Sequence, residues 1–412
     1  MLGGRWVVLA ALFLGSATGL VFGQAADTAE KGASPAPRAP GELTEGSSDR
    51  LLDIRLGDFR IQPSFTLSET YDTNIFLDPN HAEEDWFTTL NPGVTLRYDP
   101  SKKFSGTLGY NARLNRYVDH KEASNTEQTA FLSLKHKLGT FYWRLVDNFD
   151  RTQDPINVNF TNLIAFDQHR GTLTLGLDFK TYAFELEGLA GSVRSPEPVV
   201  AFFENNTASV TGRGIMRLWK GVNGIAEFTS GRTNFLQGIK DDQHFQQGRI
   251  GLVGKLGEDW TLNAKAGYHV REYENDSGTQ TFDDDFQGLV WNAALRWTPS
   301  KEDTFQLSVL RQPQESSFSN YFITNTYGLN YTRRFGEDLT VSPSFQYERI
   351  IESTHETGQF RKKRLTAGVK GTYHLTRWLD LEAGYQYREK QTVDDLGEYI
   401  DSLTWVGLSG RF

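Results

Sequence analysis

The sequence predicts an all-β protein: an antiparallel transmembrane β-barrel of about 18 strands, with short turns at one end and long loops at the other. Three observations favour this fold class. Turn signals recur about every 40 residues, segments of alternating apolar and polar residues lie between them, and aromatic residues gather beside the turns. A repeat of two strands of about 11–14 residues each is typical of such barrels.

The first 25 residues have the features of a secretory signal peptide: Arg5, an apolar stretch over 6–14, and small residues at 15–17, 23 and 25. We expect residues 26–60 to form a disordered periplasmic tail and a short lead-in segment, and 61–412 to form the barrel. No later segment approaches 18 uninterrupted apolar residues, which excludes a membrane protein built from α-helices.

Eighteen strands are predicted from Ile61 onward. An even number places both chain termini on the periplasmic side, together with the short turns. The approximate bounds are 61–71, 86–98, 103–118, 126–138, 141–150, 167–179, 182–194, 206–219, 222–234, 244–256, 260–273, 285–297, 304–314, 323–335, 339–351, 361–375, 378–391 and 399–412.

Alternation within the strands separates a lipid face from a wet face. In 361–375, for example, Leu365 and Val369 share one parity, and Arg364 and Lys370 share the other. A Lys or Arg at the midplane of a lipid face costs roughly 2–4 kcal/mol, so the charged parity should face an aqueous interior. A soluble sheet can show the same alternation, and the pattern alone leaves that alternative open.

Aromatic positions favour the membrane barrel over the soluble alternatives. Amphipathic rings collected at one level are typical of a membrane-interface girdle. A β-propeller also repeats about every 40 residues, but its blades need four short strands in that length. The tryptophans that lie within a few residues of a predicted periplasmic turn are Trp143, Trp219, Trp260, Trp297 and Trp378.

Composition excludes several classes of function. The chain has no cysteine, which removes disulfides and thiolate sites, and its formal net charge of -9 is opposite to that of a nucleic-acid-binding surface. The eight histidines form no H-E-x-x-H motif, and no G-x-S-x-G elbow occurs. We therefore expect no metal, no cofactor and no enzymatic activity.

The polar parity of the strands identifies candidate pore-lining residues. The basic members outnumber the acidic ones, which predicts a lumen that prefers anions. The alternative is that these charges pair across strands and fill the interior without selecting any solute. The basic candidates are Arg97, Arg113, Arg144, Arg170, Arg213, Arg217, Arg249, Lys255, Lys265, Arg271, Arg296, Arg364 and Lys370, and the acidic ones are Asp178, Glu185, Glu187, Glu227, Glu348, Asp380 and Glu382.

Residues 56–99 carry a family resemblance. Pro63 opens the first strand, residues 71–76 read YDTNIF, Asp85 precedes an aromatic residue, and residues 91–93 read NPG. This segment resembles the start of the outer-membrane β-barrel porins of the porin-2 type. The resemblance implies an outer-membrane location in a Gram-negative bacterium, and an association with exopolysaccharide export. Residues 71–76 also have a physical interpretation of their own, in which Asp72 and Asn74 form Asx turns that bend the chain from the strand into the loop. The alternative is that these residues bind a sugar or an ion.

Together these features predict a channel for passive passage of hydrophilic, anionic solutes or of a secreted polysaccharide. The alternatives are a plugged or structural barrel that acts through its outer loops, and a barrel-type outer-membrane enzyme. The expected partners are outer-membrane lipid and lipopolysaccharide, the barrel-assembly machinery and periplasmic polysaccharide-export proteins. The terminal Phe412 is expected to serve as an assembly signal. Loops 72–85 and 151–166 are the candidates for a constriction.

Overall fold

The computed structural model describes residues 54–78, 80–153, 164–197, 203–219, 221–237, 240–274, 285–316, 320–352, 361–392 and 398–411. The predicted signal peptide, most of the tail, most of loop 151–166 and Phe412 lie outside these ranges. Within them nearly every residue belongs to a β-strand, and no helix is long and apolar enough to cross a membrane.

Long strands follow one another along the whole described chain. The strands are β1 (Ile54–Leu56), β2 (Phe59–Asp72), β3 (Asp85–Ser101), β4 (Phe104–Tyr117), β5 (Asn125–Leu138), β6 (Phe141–Thr152), β7 (Phe166–Asp178), β8 (Tyr182–Arg194), β9 (Asn205–Trp219), β10 (Val222–Phe235), β11 (Gln243–Lys255), β12 (Trp260–Tyr273), β13 (Phe286–Trp297), β14 (Asp303–Glu315), β15 (Tyr321–Phe335), β16 (Leu339–Glu352), β17 (Arg361–His374), β18 (Leu379–Gln391) and β19 (Tyr399–Arg411). A short 3₁₀ helix, Lys121–Ala123, lies between β4 and β5.

These strands form a closed antiparallel barrel of 18 strands, β2 to β19, as the sequence predicted. Each strand pairs with its neighbours in sequence, and β19 closes the barrel on β2 from Leu403 opposite Asp72 to Arg411 opposite Ser64. The lead-in segment was predicted without a strand. Instead, Ile54–Leu56 forms β1, which turns back and pairs with the start of β2.

The two faces of the wall have opposite character. Apolar side chains are exposed on the outer face, where Leu307, Leu329 and Phe345 form one row across β14–β16 and are 52%, 42% and 45% exposed. Polar side chains are buried on the inner face, including Arg213 at 6% and Glu348 at 1%. This inversion of the usual soluble pattern is expected where the outer face meets lipid.

An aromatic girdle surrounds the short-turn end of the outer face. Trp260 stacks on Trp297 with ring centroids 5.2 Å apart, and Trp297 stacks in turn on Phe305. Phe305 continues the row to Tyr331 at 4.5 Å. Contiguous rings at one level are suited to the interface between hydrocarbon and headgroups, which fixes the height of the barrel in the bilayer.

The wall is not equally paired along its whole circumference. Strand β13 pairs with β14 only from Trp291 opposite Arg311 to Trp297 opposite Phe305, although β13 begins at Phe286. Over the outer end, β14 therefore leaves β13 while it remains paired with β15 up to Glu315 opposite Tyr321. The end of the β14–β15 hairpin is thus free to approach residues of the inner wall.

Candidate functional site

The inner wall carries the candidate residues. In the strand register, all 20 share the parity opposite to the exposed leucines of their own or neighbouring strands. Whether they line an open pore stays a prediction, but their contacts can be described. Most of them lie against a partner of opposite charge.

Eight of the 13 basic candidates make ion pairs with carboxylates. Such pairing compensates the buried charges and cancels much of the positive potential that the surplus of basic candidates predicts for the lumen. The pairs are Arg113 with Glu127, Arg213 with Glu185 and Glu227, Arg217 with Asp178, Arg249 and Lys265 with Glu227, Arg271 with Glu315, Arg364 with Glu348, and Lys370 with Glu382. Asp380 pairs with His374 and Arg411.

Glu227 is the centre of the densest of these networks. Its carboxylate lies 3.0 Å from Lys265 Nζ, 3.1 Å from Arg213 Nε and 2.5 Å from a terminal nitrogen of Arg249. The three cations come from β9, β11 and β12, on both sides of the β10 carboxylate. Glu227 is 6% exposed, so one buried anion holds four strands together at mid-height.

A second carboxylate extends the network toward β6. Glu185 accepts hydrogen bonds from Arg213 and from the Tyr142 hydroxyl. Its neighbour on β8, Glu187, differs because it accepts a hydrogen bond from the Thr174 hydroxyl at 3.3 Å and interacts with Arg213 and Arg170 only at longer range. Chains of charge-assisted hydrogen bonds of this kind rigidify a wall.

Two pairs of like charges face each other near the short-turn end of the inner wall. Arg60 lies directly opposite Arg97 across β2–β3, and Lys135 lies directly opposite Arg144 across β5–β6. Within the described chain, Arg60, Arg97 and Lys135 have no carboxylate at ion-pair distance, and Arg97 Nε is buried without a hydrogen-bond partner. We call these four residues the basic strip. Like charges directly opposite each other destabilise a sheet, so their placement is costly for folding.

At the outer end, the β14–β15 hairpin lies over the inner face of β11–β13. Glu315 accepts a hydrogen bond from Gln243 at 2.5 Å and pairs with Arg271 at 3.0 Å. Lys240, in the loop after β10, donates to the Ser316 carbonyl at 2.5 Å. Burial lowers the pKa of the Lys240 ammonium, with Glu315 acting in the opposite direction. These contacts narrow the barrel on one side.

Aromatic rings pack beneath this hairpin. Tyr321 contacts the Phe286 ring at 5.2 Å, and the Tyr273 hydroxyl donates to the Asn320 carbonyl at 3.0 Å. Deeper in the wall, His269 stacks on Phe245 with centroids 6.0 Å apart. His269 is 6% exposed, and neither ring nitrogen has a hydrogen-bond partner among the described residues.

The YDTNIF segment fastens the seam where the barrel closes. Asp72 forms the predicted Asx turn by accepting the Asn74 amide at 2.9 Å. Asn74 Nδ2 donates to the Ile400 carbonyl at 3.2 Å, and the Thr73 amide donates to the Ser402 carbonyl at 3.1 Å. The segment therefore connects β2 to β19.

A buried ion pair supports the same seam from within. Arg388 Nε donates to Asp401 at 2.7 Å, and the two residues are 1% and 0% exposed. Asp72 lies beside both. Sequence reasoning did not include Arg388 or Asp401 among the candidates, although both have the inward parity of their strands.

His120 is held in the outer loop between β4 and β5. Its ring nitrogens lie 2.7 Å from Glu83 and 3.3 Å from Asp85, and its backbone amide also donates to Asp85. Partial burial by itself disfavours the charged ring, but the hydrogen bonds to Asp85 and Glu83 prevail and raise the pKa of His120. The His120 ring thus fastens this loop to the start of β3, and its protonated form is favoured over that of a free imidazole.

Sequence parity could have identified several residues that were missed. Lys135 alternates with Leu132 and Leu134, which face outward, and Arg60 has the same parity as the inward residues of β2. Lys240 offers no such signal because it lies in a loop. Across the described ranges, no group of three or more His, Asp or Glu side chains is arranged to hold a metal ion.

Comparison with solved structures gives the same fold. OccAB3 of Acinetobacter baumannii has a TM-score of 0.50 and 10% sequence identity, covering 87% of this chain and 100% of that chain. Two Pseudomonas aeruginosa proteins, OccK5 (OpdH) and OpdK with vanillate, have TM-scores of 0.48 and 0.47, each with 11% identity over 85% of this chain and 98% of theirs. At 10% identity, the likeness to OccAB3 shows the fold alone.

Sequence comparison identifies the family. No curated protein sequence matches the chain significantly. A family model described as Putative beta-barrel porin 2 matches residues 147–412, a region separate from the segment 56–99 on which the resemblance was based. An outer-membrane location is therefore confirmed, whereas nothing in the match supports an association with exopolysaccharide export. The chain belongs to the Putative beta-barrel porin 2 family of bacterial outer-membrane proteins.

Proposed function

We propose that this porin-like barrel passes small hydrophilic anions down their concentration gradient, without a chemical step. The observation that supports the proposal is the basic strip. A wall that only needed to be filled would favour paired charges, as β8–β12 shows around Glu227. The strip instead retains opposed cations at a cost to folding, and a passing anion would relieve that repulsion.

The strip also has suitable neighbours for a hydrated anion. Arg97 lies opposite Thr107, and Lys135 lies opposite Ser105 and Arg144. Hydroxyl groups can donate hydrogen bonds to an anion that the cations attract, so the solute exchanges part of its hydration shell for the wall. Binding remains weak enough for release because the lumen is wet.

The size of the effect can be estimated from Coulomb's law. A unit charge about 5 Å from a permeating anion contributes about 0.8 kcal/mol in a water-like medium, which is about fourfold in the local anion concentration. Removing two charges should therefore lower the local anion concentration by about 16-fold and raise that of cations, so the anion-to-cation permeability ratio should fall by at least about tenfold. The ion pairs elsewhere on the wall should contribute little, because each is close to neutral as seen from the lumen.

The test is single-channel recording of refolded protein in a planar bilayer under a salt gradient. We expect ohmic steps with anion preference, and a strong loss of that preference in the double variant Arg97→Gln/Lys135→Gln. The control Lys370→Gln/Glu382→Gln removes a charge pair 3.0 Å apart and leaves the net charge unchanged. Equal selectivity in both variants would refute the role of the strip.

A different result would refute the channel itself. A barrel that folds but shows no conductance would favour the alternative of a plugged or structural barrel that acts through its outer loops. In that case the hairpin contacts of Glu315 with Arg271 and Gln243 are the first obstruction to remove. Conductance that appears in Glu315→Ala would then identify the β14–β15 hairpin as the plug.

A further inference from the structure

A row of cations lies on the outer face of β14–β17, near the long-loop end. Arg311 lies opposite Asn325, Asn325 lies opposite Arg349, and Arg349 lies opposite Lys363. All have the parity of the exposed residues Leu307, Leu329 and Phe345, so this row points toward the membrane rather than the lumen. We call Arg311, Arg349 and Lys363 the basic row.

The height of the row is set by its neighbours. One step toward the short turns, Tyr327 and Tyr347 lie side by side with ring centroids 6.3 Å apart. One further step toward the short turns, the residues that face outward are the apolar Leu307, Leu329 and Phe345. Tyrosines that end an apolar band mark the membrane interface, so the basic row lies at the level of the outer headgroups.

The basic row is largely uncompensated. Arg349 and Lys363 are both exposed and directly opposed, and neither makes an ion pair within the described chain. Arg311 lies over the Trp291 ring at 5.3 Å and donates to Asn325 at 2.9 Å. The nearest outward carboxylate on the adjoining β18, Glu389, accepts hydrogen bonds from Tyr387 and Gln391.

Outward charges elsewhere at this end are arranged differently. On β6–β12 four of the five described outward cations at this end lie against an anion, which is what a wall without a charged ligand should show. The pairs are Arg151 with Asp167 at 2.6 Å, His169 with Asp147 at 2.9 Å, Arg232 with Glu274 at 3.2 Å and His244 with Glu274 at 2.5 Å. The fifth, Arg194, donates instead to the Val193 and Asn205 carbonyls and to Asn206. The contrast indicates that the anion for the basic row comes from outside the chain.

We propose that the basic row binds the phosphate groups of a phosphorylated glycolipid of the outer leaflet. The outer leaflet of a bacterial outer membrane presents such lipids, and their acyl chains would lie along the apolar surface beneath the tyrosines. Arginine and lysine side chains bind phosphate oxygens through charge-assisted hydrogen bonds. This site does not depend on conduction through the lumen, so a test of lipid binding is independent of a test of the proposed channel.

The test is retention of purified bisphosphorylated lipid A by the folded protein, measured by native mass spectrometry after exchange in detergent. The variant is Arg349→Gln/Lys363→Gln, and the matched control is Lys102→Gln/Lys180→Gln, which removes two exposed lysines at the short turns. We expect the affinity to fall about 10–30-fold in the first variant and to stay unchanged in the control.

Two lipids complete the comparison. Dephosphorylated lipid A tests the phosphate, and phosphatidylglycerol tests for a general preference for anionic lipid. Equal binding of either lipid by the wild-type protein would overturn the proposal, as would equal loss in the variant and the control. If the double variant fails to give the heat-modifiable migration of a folded barrel, the single variant Lys363→Gln is used, with an expected loss of about fivefold.

Discussion

The most informative perturbation of the barrel wall is Glu227→Gln. The substitution keeps the shape of the side chain and removes its negative charge from among Lys265, Arg213 and Arg249, which lie 3.0, 3.1 and 2.5 Å away. The three cations then face one another on the inner wall without their common anion. Glu185 still neutralises Arg213, so the loss falls mainly on Lys265 and Arg249.

The expected cost follows from the burial of this site. Glu227 and Lys265 are both 6% exposed, so water cannot replace the lost carboxylate efficiently. Removing one partner of a buried ion pair typically costs about 3–5 kcal/mol, because the other charge remains buried and uncompensated. We expect a decrease of this size in the free energy of unfolding at neutral pH.

The assay is urea unfolding in lipid vesicles, followed by tryptophan fluorescence and by heat-modifiable migration. The control is Glu187→Gln on the same wall. Glu187 is hydrogen-bonded to the Thr174 hydroxyl at 3.3 Å and lies beyond ion-pair distance of the described cations, so its loss should cost about 1 kcal/mol. Equal unfolding free energies for the two variants would refute the reasoning. An unfolding free energy of Glu227→Gln equal to that of the wild-type protein would also refute it.

Two further predictions concern the closure of the barrel and an outer loop. Replacing Arg388, 1% exposed, by Met leaves the Asp401 carboxylate buried without a cation, and should cost about 3–5 kcal/mol in the same unfolding assay. Arg334→Met, at an exposed position near a short turn, should be close to neutral, and equal losses would contradict the seam interpretation. Because the pKa of His120 is raised in the folded state, its contribution is fully present below the unfolded pKa, about 6.5, and is lost as the pH rises through the folded value. Amide exchange of residues 118–124 should therefore be slower at pH 5.5 than at pH 8.5 after correction for intrinsic rates, and a pH dependence that persists in His120→Ala would exclude this cause.

The fold was predictable because a barrel repeats a local rule. Side chains of a strand alternate between two faces, so Leu365 and Arg364 reveal their opposite environments from sequence alone. The spacing of the turns then gives the length of the strands, and the tryptophans mark the level of the membrane interface. For this reason the 18 strands were found within three residues of their ends, from Ile61 to the final segment.

The sequence determined which residues share the inner face, but only the tertiary structure decided which charges neutralise one another. Parity is local, whereas the partner of a side chain depends on the register between strands. Lys265 reaches Glu227 from 38 residues away and two strands apart, and no local pattern connects them. The same holds for Glu315, which lies against Arg271 only because β14 separates from β13. Ion pairs with carboxylates account for eight of the 13 basic residues that strand parity placed on the inner wall. Arg97 and Lys135 of the basic strip, and Arg349 and Lys363 of the basic row, make no ion pair among the described residues.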